Sequence, residues 1–302
     1  MKNDNKSYLE FNNHPDYLHL MEYINELSER YPFITVSFLG ESILSRGIPM
    51  ITLGMGDKSV MYIGAHGGSE SITSVLLMRF VKEYSELYSE KKSIFTYDLE
   101  YLFSTRSIAV IPMLNPDGVD YNINGLKNDN PLYERVVKMN GGGSDLSLWN
   151  ANARGVELSR NYNYAFSDRK RRELEADISD ACGRGFSGNM PLSEPEVAAL
   201  CTYLRFNENV AAVLSLYTDG ELIRKSRYSD DSERLANAIK GVCGYKIKDD
   251  EGEGFCDWCA TALERPAFEI MCGKEERKGT AIDDFKIYAD IRKLLFLMPT
   301  FV

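Results

Sequence analysis

Histidine is scarce in this sequence, and so are cysteine, tryptophan and long apolar runs. The 302 residues include three histidines, six cysteines and two tryptophans. No apolar run approaches the roughly 20 residues that a membrane-spanning helix needs, and the first residues lack the hydrophobic core of a signal peptide. We therefore expect a cytoplasmic protein that does not have a membrane as its partner.

Positive charge is also in short supply. The chain has 35 lysines and arginines against 45 acidic residues, for a formal net charge of -10 and a pI near 5.0. Nucleic-acid backbones and anionic lipid surfaces would repel such a protein. The composition therefore argues against nucleic acid as a partner.

The six cysteines are scattered, which favours reduced thiols over a disulfide framework. Cys256 and Cys259 form a single CxxC motif. No second CxxC and no nearby histidine pair accompany it, so two incidental thiols are favoured over a zinc or redox site.

Helical and strand-like segments alternate along most of the chain, with no low-complexity linker and no internal repeat. This pattern predicts one α/β domain over residues 1–302, with a largely parallel sheet covered by helices on both faces. We expect the polar residues 1–7 to be disordered. In such sheets ligands bind beyond the carboxyl ends of the strands, where the polar motifs of this chain occur.

Two of these motifs follow predicted buried strands. His66 and Glu70 flank a glycine turn, and together they could bind one divalent ion, although a capping acid beside an exposed histidine would give the same pattern. Asn115-Pro116-Asp117-Gly118 is a strong turn signal.

Two further motifs lie later in the chain. Arg154 and Arg160 occupy a polar segment, and paired guanidinium groups suit the capture of a carboxylate. Ser193-Glu194-Pro195-Glu196 opens a predicted helix, where acidic side chains complement the helix dipole. On its own, that motif indicates a structural role.

Taken in order, the motifs resemble the zinc metallocarboxypeptidase family of carboxypeptidase A-like enzymes. The resemblance is strongest to a bacterial branch that cleaves γ-D-glutamyl-diaminopimelate in cell-wall peptides. It implies a mixed, mostly parallel eight-stranded sheet. The segments that carry it are LGESILSRGIPMITLG, GAHGGSES, IPMLNPDGVD, WNANARGVELSRNY, GNMPLSEPE, VLSLYTDGE, GFCDW and PAFEIMCG.

The resemblance implies a zinc ion held by two histidines and a glutamate, with a second glutamate as general base. His66 and Glu70 match two ligands, although the family spacing is one residue shorter. Tyr217 stands at the third ligand position and Met271 at the general base. A neutral phenol is a poor metal ligand and a thioether cannot accept the proton, so we expect zinc binding to be weak.

The substrate side of the motif is better preserved. The resemblance implies that Ser159, Arg160 and Asn161 bind the terminal carboxylate of a peptide, with Ser159 in place of the family's asparagine. It implies that Arg154 stabilises the oxyanion. Asp249 lies near the position of the family's mobile tyrosine.

Glu269 or Asp219 could replace the lost groups only with a displaced geometry. The sequence therefore favours a catalytically impaired or inactive homologue that still binds a peptide with a free carboxylate, with Tyr217 and Met271 filling the former zinc site. Two alternatives stay open. One is an active peptidase on cell-wall or γ-glutamyl peptides with an unorthodox metal site, and the other is a non-enzymatic scaffold or regulatory partner.

Overall fold

The computed structural model describes residues 15–218, 220–226, 230–249, 254–273 and 283–302. The predicted disorder of residues 1–7 and the proposed roles of Asp219 and of the Asp249 side chain lie outside the described residues.

Ten strands are described: β1 Thr35–Glu41, β2 Gly47–Gly54, β3 Lys58–Ile63, β4 Ser93–Ile94, β5 Tyr97–Asp98, β6 Arg106–Ile111, β7 Val210–Thr218, β8 Leu222–Lys225, β9 Lys246–Asp249 and β10 Ala267–Cys272. The described residues also form ten α-helices: α1 Tyr17–Arg30, α2 Ser71–Ser89, α3 Leu99–Thr105, α4 Pro116–Asn124, α5 Tyr133–Met139, α6 Phe166–Glu175, α7 Pro195–Phe206, α8 Asp230–Cys243, α9 Phe255–Ala262 and α10 Asp284–Phe301. A short 3-10 helix spans Leu158–Arg160.

Eight of the strands form one mixed sheet in the order β1-β2-β6-β3-β7-β10-β8-β9. The four central strands, β6, β3, β7 and β10, are parallel to one another, whereas β1, β2 and β8 pair in antiparallel fashion. The remaining two strands, β4 and β5, form a separate hairpin. The predicted fold class, a mostly parallel eight-stranded sheet within an α/β fold, is confirmed.

Helices cover both faces of this sheet because the central strands are apolar on both sides. In β3, Val60 and Tyr62 join a core with α1, α2, α3, α8 and α10, whereas Met61 and Ile63 join a second core with α7 and α9. Side chains alternate between faces along a strand, so one continuous apolar run supplies both cores.

The Asn-Pro-Asp-Gly motif follows β6, which ends at Ile111, and it begins a helix rather than forming an isolated turn. Asn115 is the N-cap of α4, and its side-chain oxygen accepts from Gly118 N at 2.9 Å. Pro116 occupies the first helical turn, where a missing N–H costs nothing.

The carboxyl ends of the four parallel strands meet at one edge of the sheet. His66 and Asn115 follow β3 and β6, while Tyr217 and Met271 lie side by side near the ends of β7 and β10. This edge is therefore where the sequence motifs come together.

Candidate functional site

The glycine turn after β3 brings three sequence motifs into close contact. A Cβ atom on Gly67 would lie 2.0 Å from Asn150 Oδ1, and one on Gly68 would lie 2.5 Å from the carbonyl oxygen of Gly118. Only glycine permits this approach of the backbone.

Asn115 and Asp117 form buried hydrogen bonds that join this turn to neighbouring loops. The Asn115 side-chain amide donates to the carbonyl oxygens of His66 and Ala151, both at 3.2 Å. Asp117 is fully buried and accepts from Ser42 Oγ at 2.9 Å and from Arg46 Nη1 at 2.7 Å. Buried polar groups with this many partners fix the positions of the loops they join.

His66 is completely buried, and both of its ring nitrogens are engaged by other side chains. Nε2 is 2.9 Å from the Tyr162 hydroxyl, and Nδ1 is 2.8 Å from Ser215 Oγ. Burial lowers the pKa of His66 to about 3, because a charged imidazole would lose its hydration. The ring is therefore neutral at pH 7, with one nitrogen donating and the other accepting.

Three aromatic rings surround this imidazole. Tyr217 stacks on it with ring centroids 5.5 Å apart, and the rings of Phe255 and Tyr162 lie at 5.6 and 6.1 Å. The buried Tyr217 hydroxyl lies beside Ser215, whose own hydroxyl is 2.8 Å from His66 Nδ1, and it makes no hydrogen bond of good geometry with any described residue. Burial keeps the pKa of Tyr217 well above its usual value, so the phenol stays neutral.

Glu70 is directed toward the backbone at the end of β7. Its Oε2 accepts from Thr218 N at 2.8 Å. Ser69, which lies between His66 and Glu70, donates its hydroxyl to Asn150 Oδ1 at 2.7 Å. The longer spacing is thus accommodated by a contact with the neighbouring loop.

These donors do not fit a zinc ion. The imidazole nitrogens of His66 are committed to two hydroxyl groups, and the third ligand position carries a neutral phenol in place of an imidazole. In the part of the chain that the structure describes, no group of three or more histidine, cysteine, aspartate or glutamate side chains is arranged to hold a metal ion.

Glu269 and Met271 lie on the strand next to Ser215 and Tyr217. In the parallel register, Glu269 pairs with Ser215 and Met271 with Tyr217, so all four share one face of the sheet. Glu269 is 7% exposed, and its Oε2 lies 3.7 Å from Arg224 Nη1. The carboxylate predicted as a replacement base therefore has a cationic neighbour on β8.

The two predicted arginines lie at the solvent boundary of the site. The Arg154 and Arg160 side chains are 39% and 42% exposed. Arg154 Nε is 3.2 Å from Glu194 Oε2, and Arg160 Nε is 3.6 Å from Glu157 Oε2. Ser159 is also partly exposed, and its hydroxyl is 3.5 Å from Glu157 Oε1. We call Arg154, Ser159 and Arg160 the rim.

Asn161, by contrast, is fully buried. Its side-chain nitrogen donates to the carbonyl oxygens of Ser187 and Met190 and to Ser193 Oγ, and its oxygen accepts from Glu194 N. The side chain anchors a neighbouring loop and has no donor to spare for a ligand. The structure thus separates it from the rim residues with which it was predicted.

Several residues of the site were not identified from the sequence. Ser215 and Tyr162 form hydrogen bonds with His66. Arg184 Nη2 lies 3.3 Å from Ser69 Oγ. Asn150 Nδ2 lies 3.4 Å from Glu157 Oε1. Arg184 is exposed and adds a third guanidinium near Asn150. Tyr162 and Asn150 both lie within the motif WNANARGVELSRNY, and that motif could have identified them as site residues.

An acidic network supports the loop that carries Arg154. The side-chain nitrogen of Asn152 donates to Glu194 Oε2 at 2.7 Å and to Glu196 Oε2 at 3.3 Å. Burial raises the pKa of Glu196 to about 8, with the nearby Asp117 and Glu194 carboxylates adding to the effect. Glu196 is thus mostly protonated at pH 7, so of the two acids predicted to complement the helix dipole at the start of α7 it contributes little negative charge.

Cys256 and Cys259 are buried thiols of α9 and form no disulfide bond. Their α9 neighbours Phe255 and Trp258 pack against Tyr162 with ring centroids at 5.1 and 5.8 Å. This short helix therefore serves as a wall of the aromatic cluster. None of the helices in the described residues has the length and apolar character needed to cross a membrane.

Comparisons with known proteins agree with this geometry. A family model described as zinc carboxypeptidase matches residues 20–286. The γ-D-glutamyl-L-diamino acid endopeptidase 1 of Lysinibacillus sphaericus is 28% identical over 263 residues, covering 85% of this chain and 65% of that protein. The uncharacterized protein YqgT of Bacillus subtilis is 28% identical over 262 residues, covering 83% and 68%. The chain thus spans about two thirds of the length of these relatives.

Solved structures show the same fold. Bovine thrombin-activatable fibrinolysis inhibitor superimposes with a TM-score of 0.71 at 19% identity, covering 95% of this chain and 96% of that one. The murein-tripeptide amidase MpaA of Escherichia coli O157 superimposes with a TM-score of 0.51 at 19% identity, covering 88% and 90%.

Proposed function

The chain belongs to the zinc carboxypeptidase family, and from that premise we propose that it binds peptides with a free carboxylate without hydrolysing them. The proposal treats the two parts of the site separately. The metal-binding part has become packed interior, and the rim keeps the capacity to recognise an anion.

The observation that carries the proposal is the closure around His66. An imidazole that binds zinc must present a free lone pair to the metal. Here Tyr162 and Ser215 engage the two nitrogens, and Tyr217 stacks on the ring. Zinc could reach His66 only if this buried arrangement were broken.

The position of the general base supports the same proposal. Met271 lies beside Tyr217 and cannot accept a proton. Glu269, the nearest candidate along the strand, pairs instead with Ser215 and lies 3.7 Å from Arg224. A general base must reach the attacking water directly or through one other water, and a displaced carboxylate satisfies this poorly.

The rim supports a role in recognition. The guanidinium of Arg160 is partly exposed, and its ion pair with Glu157 is long, so a peptide carboxylate can compete for it. The names of the Lysinibacillus endopeptidase and the Escherichia coli amidase point to peptides of the bacterial cell wall. We therefore propose γ-D-glutamyl-diaminopimelate peptides as the class of ligand.

Calorimetry with a γ-D-glutamyl-diaminopimelate peptide tests the binding. We expect saturable binding by the wild type, at least tenfold weaker binding by Arg160→Gln, and equally weak binding when the peptide carboxylate is amidated. Arg171→Gln is a matched control, because Arg171 also pairs with an acid three residues away but lies on α6. Equal affinity of the wild type and Arg160→Gln would rule out the assigned role.

Prolonged incubation of the same peptide with the protein tests the second half of the proposal. We expect the peptide to be recovered intact by mass spectrometry, with and without added zinc. Release of diaminopimelate that disappears in His66→Ala would instead establish the alternative, an active peptidase with an unorthodox metal site.

A further inference from the structure

A cavity lies at the opposite edge of the sheet, far from the motifs discussed above. Its volume is about 820 Å³, and it is bordered by Lys58 and Val210, which begin β3 and β7, and by Pro266, which precedes β10. These are the amino-terminal ends of strands whose carboxyl ends carry His66, Tyr217 and Met271. The cavity is therefore separate from the proposed peptide site.

The lining of this cavity is rich in cations for a protein with a net charge of -10. It contains four basic residues, Lys58, Arg205, Arg234 and Arg265, and three acidic ones, Glu208, Asp231 and Glu264. Asp231 lies 3.7 Å from Arg234 Nε. Within the described ranges, Lys58, Arg205 and Arg265 form no ion pair closer than 4 Å, although the Glu208 carboxylate lies near enough to Arg265 to stabilise its charge.

Arg265 is the most informative of the three because it is 8% exposed. Its Nη1 donates to the carbonyl oxygen of Leu204 at 2.8 Å, near the end of α7, which gives it one structural role. Its Nε and Nη2 donate to no described residue. Solvent reaches both atoms, so they face the cavity. Burial lowers the pKa of Arg265 despite the opposing influence of Cys259 and Glu208, and a bound anion would offset that cost of burial further.

Arg205 adds a second guanidinium. It is exposed, belongs to the last turn of α7, and its guanidinium carbon lies 5.8 Å from the centre of the Trp258 ring. Contact with an aromatic face restricts an arginine side chain while leaving its N–H groups free to donate. Lys58 supplies a third, point-like charge from the start of β3.

We propose that this cavity is a binding site for a small polyanion carrying phosphate or carboxylate groups. Arginine forks bind either group through two parallel hydrogen bonds, and a lysine adds charge without fixed geometry. The volume falls within the range of about 300–1,000 Å³ typical of small-molecule sites.

Calorimetric titrations with inorganic pyrophosphate and with citrate at low ionic strength test the proposal and distinguish the two chemistries. We expect one-to-one binding of at least one of them, weakening as salt is added because the contacts are ionic. Tighter binding of pyrophosphate identifies phosphate as the preferred group, and tighter binding of citrate identifies carboxylate. Failure of both to bind at millimolar concentration overturns the proposal.

Variants locate the site. Lys58→Gln and Arg205→Gln alter exposed side chains, and each should weaken binding at least tenfold, whereas Lys240→Gln, an exposed lysine of α8 outside the cavity, should leave it unchanged. Arg160→Gln should also have no effect, so failure here is distinguishable from failure of the peptide-binding proposal. Binding that falls with Arg160→Gln, or that ignores both cavity variants, would contradict the assignment.

Discussion

The two halves of the candidate site differ in solvent exposure. His66, Tyr162, Ser215 and Tyr217, which we call the closed half, form a packed cluster in which His66 and Tyr162 are fully buried. The rim residues Arg154 and Arg160 are 39% and 42% exposed, although Arg154 pairs with the buried Glu194. The closed half resembles a protein core, and the rim resembles a binding surface.

Under the proposed function, this difference means that the chemistry and the recognition of a peptidase site are lost separately. Replacing a metal-ligand histidine with Tyr217 adds an aromatic ring that can cover the remaining imidazole. Once covered, His66 contributes packing and hydrogen bonds, and no constraint of catalysis acts on Met271. The rim does not depend on these contacts, so it can remain intact.

The largest effect we expect concerns protonation of His66. Its pKa is about 3 in the fold and about 6.5 when exposed, so the unfolded chain binds a proton first and stability falls as the pH drops from 6.5 toward 3. The full loss is about 5 kcal/mol, of which about 2 kcal/mol falls between pH 7 and pH 5.

Urea unfolding of the wild type and of His66→Gln across this range measures the effect. The glutamine amide can donate and accept as the neutral imidazole does, but it cannot be protonated. The difference in unfolding free energy between the two proteins should shrink as the pH falls. A constant difference would show that His66 is not buried in its neutral form.

Glu196 should act in the opposite direction beneath the rim. Its pKa is about 8 in the fold against 4.5 for an exposed glutamate, so the folded chain holds the proton longer and stability falls as the pH rises from 4.5 to 8. The loss is about 5 kcal/mol over the whole window. Glu196→Gln should remove it, and calorimetric melting at pH 6 and pH 8 would show a smaller decrease than in the wild type.

The contributions of His66 and Glu196 to the unfolding free energy have opposite slopes and cancel between pH 4.5 and 6.5. The unfolding free energy of the wild type should therefore change little with pH in that range. His66→Gln should expose the downward slope due to Glu196, and Glu196→Gln the upward slope due to His66. Parallel curves for the wild type and either variant would contradict the account of the corresponding residue.

Substitutions at Tyr217 separate packing from hydrogen bonding. Tyr217→Ala removes a partly buried ring that stacks on His66 and should cost about 2–3 kcal/mol of unfolding free energy. Tyr217→Phe removes a hydroxyl that makes no hydrogen bond of good geometry with any described residue, so it should cost less than about 1 kcal/mol or stabilise the protein. Tyr162→Phe, which loses the bond to His66, should cost about 1–3 kcal/mol. Urea unfolding measures all three, and a larger loss from Tyr217→Phe than from Tyr162→Phe would reverse their roles.

The smallest effect on stability should come from the rim. Arg160→Ala removes a long ion pair at a side chain that is 42% exposed, and such pairs contribute less than about 0.5 kcal/mol. Its effect on unfolding should therefore be close to the error of the measurement. A loss above about 2 kcal/mol would mean that the rim, too, is a structural element.

The sequence predicts the main sheet well because its signals are local. Apolar runs of six to nine residues ending in glycine or polar turns mark β3, β6 and β7, and these are the strands that form the centre of the sheet. The short strand β8 and the helix α9 carry no comparable pattern. Their positions depend on pairing with β10 and on packing against Tyr162, which are contacts between distant parts of the chain.

The site is predicted only in part, because it also depends on contacts between distant parts of the chain. Spacing and family resemblance locate His66, Tyr217, Met271 and Arg160, but they cannot show whether a side chain faces a cleft or a core. Asn161 appears in the same motif as Arg160, yet it is fully buried in contacts with a loop some 26–32 residues away in sequence. Burial also decides that Glu196 carries a proton, which its position at a helix start does not indicate.

Metal analysis of the purified protein tests the central claim most directly. After loading with zinc and exhaustive dialysis, inductively coupled plasma mass spectrometry should find well under one zinc per chain, and His66→Ala should retain no less than the wild type. One tightly held zinc per chain that is lost in His66→Ala would contradict the account, because it would show that the imidazole is available to a metal.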